Sequence, residues 1–185
     1  MRFFIALDIP QESKDQIKKV QVSIKELIPE ARITDNDKLH ITLAFIGDQP
    51  EDLQQKLEQA MNQAVADLSP FTLTPSYLDG FPTIHHPNIL WVGVKGDVDK
   101  LLIINERVRD GLRALQIQVD QRRFIPHIAI AKLSNYHTPQ SIEQQLQSMI
   151  FGDFDPITIS SIKLFESIPD LGFHSHNTLA QIQLV

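Results

Sequence analysis

The sequence of 185 residues contains no cysteine, which excludes disulfide bonds, thiolate metal sites and a cysteine nucleophile. It also lacks a long hydrophobic run near its start. The apolar stretch RFFIALDI at 2–9 is too short for a membrane span or for the core of a signal peptide. These two absences favour a soluble protein of the cytoplasm with no membrane partner.

Basic residues are scarce, with 17 Lys and Arg against 23 Asp and Glu and a formal net charge of −6. A protein that binds a long duplex usually carries a basic stripe, because phosphate contacts need cations. Only Arg122 and Arg123 resemble one, so we predict that any nucleic-acid partner is a terminus or a short oligonucleotide. The sequence also lacks a glycine-rich phosphate loop, a nucleophilic serine elbow and a carboxylate cluster. We therefore expect no cofactor and no metal.

Apolar residues follow strand-like and helix-like periods in alternation along the chain. The predicted strands span 2–8, 38–46, 71–78, 89–95, 124–133, 156–166 and 178–184. The predicted helices span 12–27, 51–67, 97–115 and 138–150. Helices and strands of this number in a chain that is 42% hydrophobic indicate an α+β protein with one packed core.

One half of the chain resembles the other. HITLAFIGDQPEDLQQKLEQAM, which begins at His40, aligns with HIAIAKLSNYHTPQSIEQQLQSM, which begins at His127. The histidines lie 87 residues apart, and Met61 and Met149 at the other ends lie 88 apart. A repeat of this length predicts a single domain of two pseudo-symmetric β-α-β-α-β lobes, about 1–80 and 86–170. The strand at 178–184 completes the first or the second sheet.

The stretch LHITLAF places an imidazole and a hydroxyl on one face of a strand, because side chains alternate and His40 and Thr42 are two residues apart. Equivalent strands of two facing lobes would bring His40 and His127 to opposite walls of one cleft. Two imidazoles in that position suit concerted proton transfer, since the histidine pKa lies near neutral pH. A phosphodiester fits such a site, having an attacking oxygen, a leaving oxygen and an anionic centre.

Paired His-x-Thr-x motifs in a duplicated chain resemble the 2H phosphoesterase superfamily. The sequence looks most like its branch of RNA 2′,3′-cyclic phosphodiesterases, also called 2′-5′ RNA ligases. The similarity includes RFFIALDIP, LHITLAFIGD, GFPTIHHPNILWVGV, FIPHIAIAKL and SIKLFES. It implies antiparallel sheets that flank a central cleft, and a monomer. The implied activity is metal-independent opening of a 2′,3′-cyclic phosphate to a 2′-phosphate, with reversible 2′-5′ ligation, at RNA termini or short oligonucleotides.

The resemblance also implies roles for individual residues. His40 would be the proton donor to the leaving oxygen, and His127 the proton acceptor that activates water. Thr42 and Lys132 would bind phosphate, although Lys132 stands where the family usually has Arg. The residues alone do not determine which histidine is the acid, and the two roles exchange when the reaction runs backwards.

The second motif departs from the family pattern, because Ala129 stands where the family has Thr or Ser and cannot donate a hydrogen bond. Four residues are candidate substrate contacts: Phe45, Ala129, Arg123 and His176. A regular strand would point Phe45 away from His40, which favours core packing for its ring. His176 corresponds to a position near which the family often has a Tyr that helps to close the cleft.

Two alternatives stay open at this point. The altered second motif would also suit a non-catalytic module that binds a nucleotide or an RNA end. A related 2H enzyme could instead act on a small-molecule cyclic phosphate.

Overall fold

The computed structural model describes residues 1–150, 154–170 and 173–185, and within them the chain forms nine strands and four α-helices. The strands are β1 (Arg2–Asp8), β2 (Arg32–Ile33), β3 (His40–Asp48), β4 (Phe71–Pro82), β5 (Pro87–Gly96), β6 (His127–Lys132), β7 (Ile157–Ile159), β8 (Ser161–Asp170) and β9 (Phe173–Gln183). The helices are α1 (Gln11–Leu27), α2 (Gln54–Ala64), α3 (Val98–Ala114) and α4 (Gln140–Gln147). All four predicted helices form, with ends within three residues of the prediction, whereas β2 was not predicted.

The strands form one sheet in the order β7-β4-β5-β6-β3-β1-β8-β9, and β2 pairs with β6. Every pairing is antiparallel, so the predicted α+β class with antiparallel strands is confirmed. The two predicted sheets are continuous, because β3 and β6 pair at the middle through Ile41 and Ile128. The two motif strands therefore lie side by side at the centre of the molecule.

Each half of the sheet includes a long strand from the other half of the sequence. β4, at 71–82, pairs with β5 in the half that contains His127, and β8 pairs with β1 in the half that contains His40. The predicted segments 1–80 and 86–170 therefore exchange strands, and residues 151–153 of the second segment lie outside the described residues. The C-terminal strand β9 pairs with β8 and forms the edge beyond β1.

The predicted strand 156–166 is two strands, β7 and β8, separated by Ser160 alone. β7 lies at one end of the sheet order and β8 lies next to the other end. One residue spans less than 4 Å, so the sheet must curl until its two ends approach each other. One face of the curled sheet packs on the helices. The other face carries the motif histidines and is here called the histidine face.

Helices α1 and α3 pack on the opposite face through an apolar stripe with helical spacing. Their stripes bury the predicted residues Ile17, Val20, Ile24, Leu101, Ile104, Val108 and Leu112. Each stripe also buries one amide side chain, Gln21 in α1 and Asn105 in α3. No helix of the described residues has the length and apolar character needed to cross a membrane.

Both motif strands contain a β-bulge three residues after the histidine. Ala44 and Thr42 pair with consecutive residues of β1, which leaves Leu43 without a partner there. Ala131 and Ala129 pair with consecutive residues of β5, which leaves Ile130 unpaired in the same way. An extra residue reverses the side to which all later side chains point.

The buried amides donate to the carbonyls of the two bulges, and the Ile130 carbonyl also accepts from the Thr34 N–H at 3.0 Å. Asn105 Nδ2 donates to the Leu43 carbonyl at 2.8 Å, and Gln21 Nε2 donates to the Ile130 carbonyl at 3.0 Å. A buried carbonyl without a partner is costly, so each amide stabilises the bulge that it reaches. The arrangement crosses between the halves, because α1 supports the bulge of β6 and α3 supports the bulge of β3.

Candidate active site

His40 and His127 occupy equivalent positions, each as the first residue of its strand. His40 Nδ1 lies 2.6 Å from the Lys38 carbonyl, and His127 Nδ1 lies 2.7 Å from the Ile125 carbonyl. A carbonyl can only accept, so Nδ1 of each ring carries the proton and donates it. In the neutral form, Nε2 of each ring is then the basic nitrogen. Two imidazoles are thus held in the same tautomer by the carbonyl two residues earlier in the chain.

The two histidines share one face of adjacent strands. Ile41 and Ile128 pair and point into the core, both fully buried. In an antiparallel pair the residues on either side point to the other face, so His40 and His127 both lie on the histidine face. The positive charge of His127 lowers the pKa of His40, which is consistent with their proximity.

Aromatic rings surround His40. The ring centroids of Phe4, His176 and Phe165 lie 5.3, 5.4 and 6.4 Å from the His40 ring. Phe4 stacks on Phe165 at 5.1 Å with the ring planes 13° apart. The apolar surroundings exclude water from one side of the imidazole, while Thr42 Oγ1 lies 3.0 Å from its Nε2.

The pKa of His40 is lowered from 6.5 to about 4, and burial is the largest cause. The charges of His176 and His127 contribute to the decrease, whereas the hydrogen bond to the Lys38 carbonyl and the charge of Asp8 oppose it. His40 is therefore neutral near pH 7 when the site is empty, and the Thr42 hydroxyl donates to its Nε2. A bound phosphate anion would favour the charged ring.

His127 is enclosed by a second aromatic group. The Phe81 ring lies 5.0 Å from the His127 ring and is close to perpendicular to it. The Trp91 ring lies 5.7 Å from the His127 ring and is steeply inclined to it. Burial lowers the pKa of His127, and the hydrogen bond to the Ile125 carbonyl raises it in part. The sequence indicates His176 as a candidate contact but not the other rings around both histidines, although Phe4 and Trp91 stand in the strands that pair with the two motif strands.

Position 129 differs from position 42 in its cross-strand neighbour as well as in its side chain. Thr42 pairs with Ala6, whereas Ala129 pairs with Trp91. The methyl group at 129 thus lies beside an indole that is 97% buried, since Trp91 is 3% exposed. The indole N–H is buried without a hydrogen-bond partner in the described residues. A hydroxyl at 129 would lie beside that side chain.

The prediction that Phe45 packs in the core is wrong, because its side chain is 73% exposed. The bulge at Leu43 turns Phe45 to the histidine face, where its ring lies 6.1 Å from that of Phe4. Lys132 follows the equivalent bulge at Ile130, and its side chain points to the face of His127. Phe45 and Lys132 each lie five residues after a motif histidine, and in a regular strand this odd spacing would point them to the opposite face. Because of the bulges, each can lie beside its histidine.

A model of the 2′-5′ RNA ligase superfamily matches residues 9–163, which include both motif histidines and most of the chain. The chain belongs to the 2′-5′ RNA ligase superfamily. The family predicted from the two motifs is thus confirmed.

Relatives within this superfamily match the chain over most of its length. An RNA 2′,3′-cyclic phosphodiesterase of Methanocaldococcus jannaschii is 25% identical over 167 residues, which cover 90% of this chain and 91% of that protein. One of Thermotoga maritima is 26% identical over 160 residues, 86% and 82% of the two chains. The crystal structure of E. coli LigT complexed with 3′-AMP has a TM-score of 0.80 at 22% identity and covers 99% of this chain and 97% of LigT. This last similarity shows a shared fold.

Of the two remaining candidate substrate contacts, His176 lies close to a motif histidine and Arg123 lies farther away. His176 is on the histidine face, 5.4 Å from His40, and burial lowers its pKa. Arg123 is not on that face but in a cavity beside the segment that leads to His127. Over the described residues, no three His, Asp or Glu side chains are grouped as a metal site.

Proposed function

We propose that this protein is an RNA 2′,3′-cyclic phosphodiesterase that opens the cyclic phosphate to a 2′-phosphate and carries out 2′-5′ ligation in the reverse sense. One observation carries the proposal: His40 and His127 lie on one face with the same tautomer, each with Nε2 as its reactive nitrogen. Family membership and relatives named for this activity support it.

The reaction follows from the placement of the two rings. His127 Nε2 accepts a proton from water while the water oxygen forms a bond to phosphorus. The P–O3′ bond breaks, and His40 Nε2 gives a proton to the O3′ oxygen, which leaves a 2′-phosphate and a free 3′-hydroxyl. One histidine gains the proton that the other loses, and exchange with solvent restores both.

Protonation of His40 also prepares the phosphate contact. The neutral ring accepts the Thr42 hydroxyl at 3.0 Å, whereas a protonated Nε2 is a donor and no longer needs that bond. The hydroxyl is then free to donate to an equatorial phosphate oxygen. Lys132 adds a cation on the other side, without the two-pronged geometry of arginine.

The aromatic group beside His40 suits a nucleobase. Phe45 exposes most of its ring, and Phe4 and Phe165 stand behind it. Bases stack on exposed aromatic rings with little regard to sequence. His176 at the same margin contacts the ribose or base in this proposal. The substrates are RNA termini and short oligonucleotides, and the protein acts as a monomer in the cytoplasm.

The test uses the four nucleoside 2′,3′-cyclic monophosphates with EDTA present, and phosphorus NMR to locate the phosphate in the product. We expect nucleoside 2′-phosphates from the wild type, and no product from His40→Ala or His127→Ala. The exposed His137 provides a matched control, and His137→Ala should keep wild-type activity.

Two outcomes would reject the proposal. Tight binding without turnover would instead indicate the binding module that Ala129 leaves open. Turnover of a small cyclic phosphate such as ADP-ribose 1″,2″-cyclic phosphate, with none of the RNA-type substrates, would assign a different substrate to the same pair of histidines.

A further inference from the structure

An open cavity of about 600 Å³ lies between α3 and the segment that precedes β6. This volume is typical of sites that hold a small ligand or one unit of a polymer. We call it the arginine cavity, because three arginines line it: Arg109, Arg113 and Arg123. Its apolar lining comes from Val98 and Leu102 of α3 and from Phe124.

The arginine cavity is positive in a protein of net charge −6. Three arginines and one acidic residue, Glu106, are among its lining residues. Arg109 donates to the Arg122 carbonyl at 3.0 Å, and Arg113 pairs with Asp110 at 2.9 Å. Within the described residues, the Arg123 guanidinium has no hydrogen bond or ion pair. The Arg123 guanidinium can therefore bind phosphate oxygens through two parallel hydrogen bonds.

The cavity adjoins the site at His127. Residues 123–126 form one wall and lead directly to His127, and the Ile125 carbonyl in that wall holds the His127 ring. Tyr77 is part of the lining, and its ring lies against Gly93, so closely that any larger residue there would overlap it. Gly93 is the cross-strand neighbour of His127. Tyr77 therefore lies at the border between the cavity and the histidine face.

We infer that the arginine cavity binds the phosphates of the RNA strand whose 5′-hydroxyl takes the place of water, and is thus the acceptor-strand site for 2′-5′ joining. The inference rests on the proposed function, with His127 as the base. The attacking and leaving oxygens lie on opposite sides of phosphorus. The ribose of the cyclic phosphate is then beside His40, and the strand that brings the attacking oxygen extends from His127 toward Arg123.

The joining step balances in the same way as hydrolysis. The 5′-hydroxyl oxygen bonds to phosphorus and gives its proton to His127, the P–O3′ bond breaks, and O3′ takes a proton from His40. The product is a 2′,5′-phosphodiester with a free 3′-hydroxyl. No oxidant, reductant or activated nucleotide is needed, since the strained cyclic ester is the activated group.

The test measures hydrolysis and joining in the same reaction, with an oligoribonucleotide that ends in a 2′,3′-cyclic phosphate. The acceptor is either a hexaribonucleotide with a 5′-hydroxyl or adenosine, which has the hydroxyl but no phosphate. We expect Arg123→Ala to lower the ratio of joining to hydrolysis about tenfold with the hexamer, as loss of a charge-assisted hydrogen bond predicts. With adenosine the same ratio should change less than twofold.

Arg122→Ala is the matched control. It removes the same charge at the neighbouring position, and the Arg122 side chain is already paired with Asp120. It should leave the ratio at the wild-type value, and adding Arg113→Ala to Arg123→Ala should lower the ratio further. Equal ratios in all variants would overturn the inference while leaving the hydrolase intact. A selective loss of hydrolysis of the oligonucleotide relative to a cyclic mononucleotide would overturn it too, since the cavity would then hold the cyclic strand. Absence of hydrolysis by the wild type would instead reject the proposed function.

Discussion

At the scale of single residues, the two histidines share a backbone contact and differ in their surroundings. Each Nδ1 donates to the carbonyl two residues earlier, which sets the tautomer without any carboxylate. Within the part of the chain that the structure describes, His40 alone of the two has a hydroxyl within reach of Nε2, from Thr42 at 3.0 Å. The equivalent neighbour of His127 is Ala129, beside the Trp91 indole. In the proposed mechanism the pair is thus symmetric in proton transfer and asymmetric in phosphate binding.

Restoring the missing hydroxyl should accelerate the reaction. A hydrogen bond to a charged oxygen is worth about 1.5–3 kcal/mol, so we expect Ala129→Ser to raise kcat/KM on a 2′,3′-cyclic nucleotide about tenfold or more. Serine adds the least volume beside Trp91. Ala129→Val adds bulk without a donor and should not raise kcat/KM. If serine and valine have the same effect, residue 129 does not face the phosphate.

The burial of His40 makes stability depend on pH. Its folded pKa of about 4 is below the unfolded value of 6.5, so the unfolded chain binds the proton more tightly between those values. The contribution of His40 to the stability of the fold is complete above pH 6.5 and is lost as the pH falls toward 4. We expect this group to lower the free energy of unfolding by on the order of 1–2 kcal/mol between pH 7 and pH 5.

Urea denaturation at both pH values measures this effect. His40→Asn keeps a donor near the Nδ1 position but does not titrate, so its stability should fall less between pH 7 and pH 5 than that of the wild type. The exposed His137 serves as the control, and His137→Asn should show the wild-type decrease. An identical decrease in all three proteins would show that His40 is not buried in the neutral form.

At the scale of single elements, the periods of the sequence predict helices and strands well because they reflect which side of each element is buried. They do not reveal the bulges, since Leu43 and Ile130 are apolar residues within apolar strands. The error about Phe45 follows directly from that gap. A signal was present in the helices, where Gln21 and Asn105 interrupt otherwise apolar stripes. Polar residues at equivalent places in both helices indicate carbonyls that need a partner.

Removing one of these amides should destabilise the fold. Gln21→Leu leaves the partly buried Thr34 carbonyl without the Gln21 donor and leaves the Ile130 carbonyl with the Thr34 N–H alone, which costs about 1–3 kcal/mol. The exposed Gln63 of α2 offers the control, and Gln63→Leu should change the free energy of unfolding by less than about 0.5 kcal/mol. Equal stability of the two variants would mean that water replaces the Gln21 amide at the bulge.

At the scale of the whole molecule, the repeat predicts two similar halves but not which strands each half contains. Local periodicity identifies β4 and β8 as strands, whereas their partners depend on which sheet edges the rest of the chain leaves open. β4 pairs across to β5, and β8 pairs across to β1. The exchange joins the halves through two long pairings in addition to the central pair Ile41–Ile128.

Because of this exchange, we expect the halves to unfold together. Trp91, the single tryptophan, reports on the half that contains His127, and far-UV circular dichroism reports on all helices and strands. The urea midpoints from the two probes should coincide, as for a two-state transition. A tryptophan transition that precedes or follows the loss of secondary structure would show that the halves are independent.

The proposed function requires two imidazoles that act on one phosphorus atom. The direct measurement is kcat/KM on a 2′,3′-cyclic nucleotide for His40→Asn, His127→Asn and the double variant. We predict that each single change lowers kcat/KM by about 10²–10⁴, and that the double change lowers it little more than one alone, because the two groups act in the same step. A single variant that keeps wild-type activity, or losses that multiply in the double variant, would contradict the proposed two-histidine mechanism.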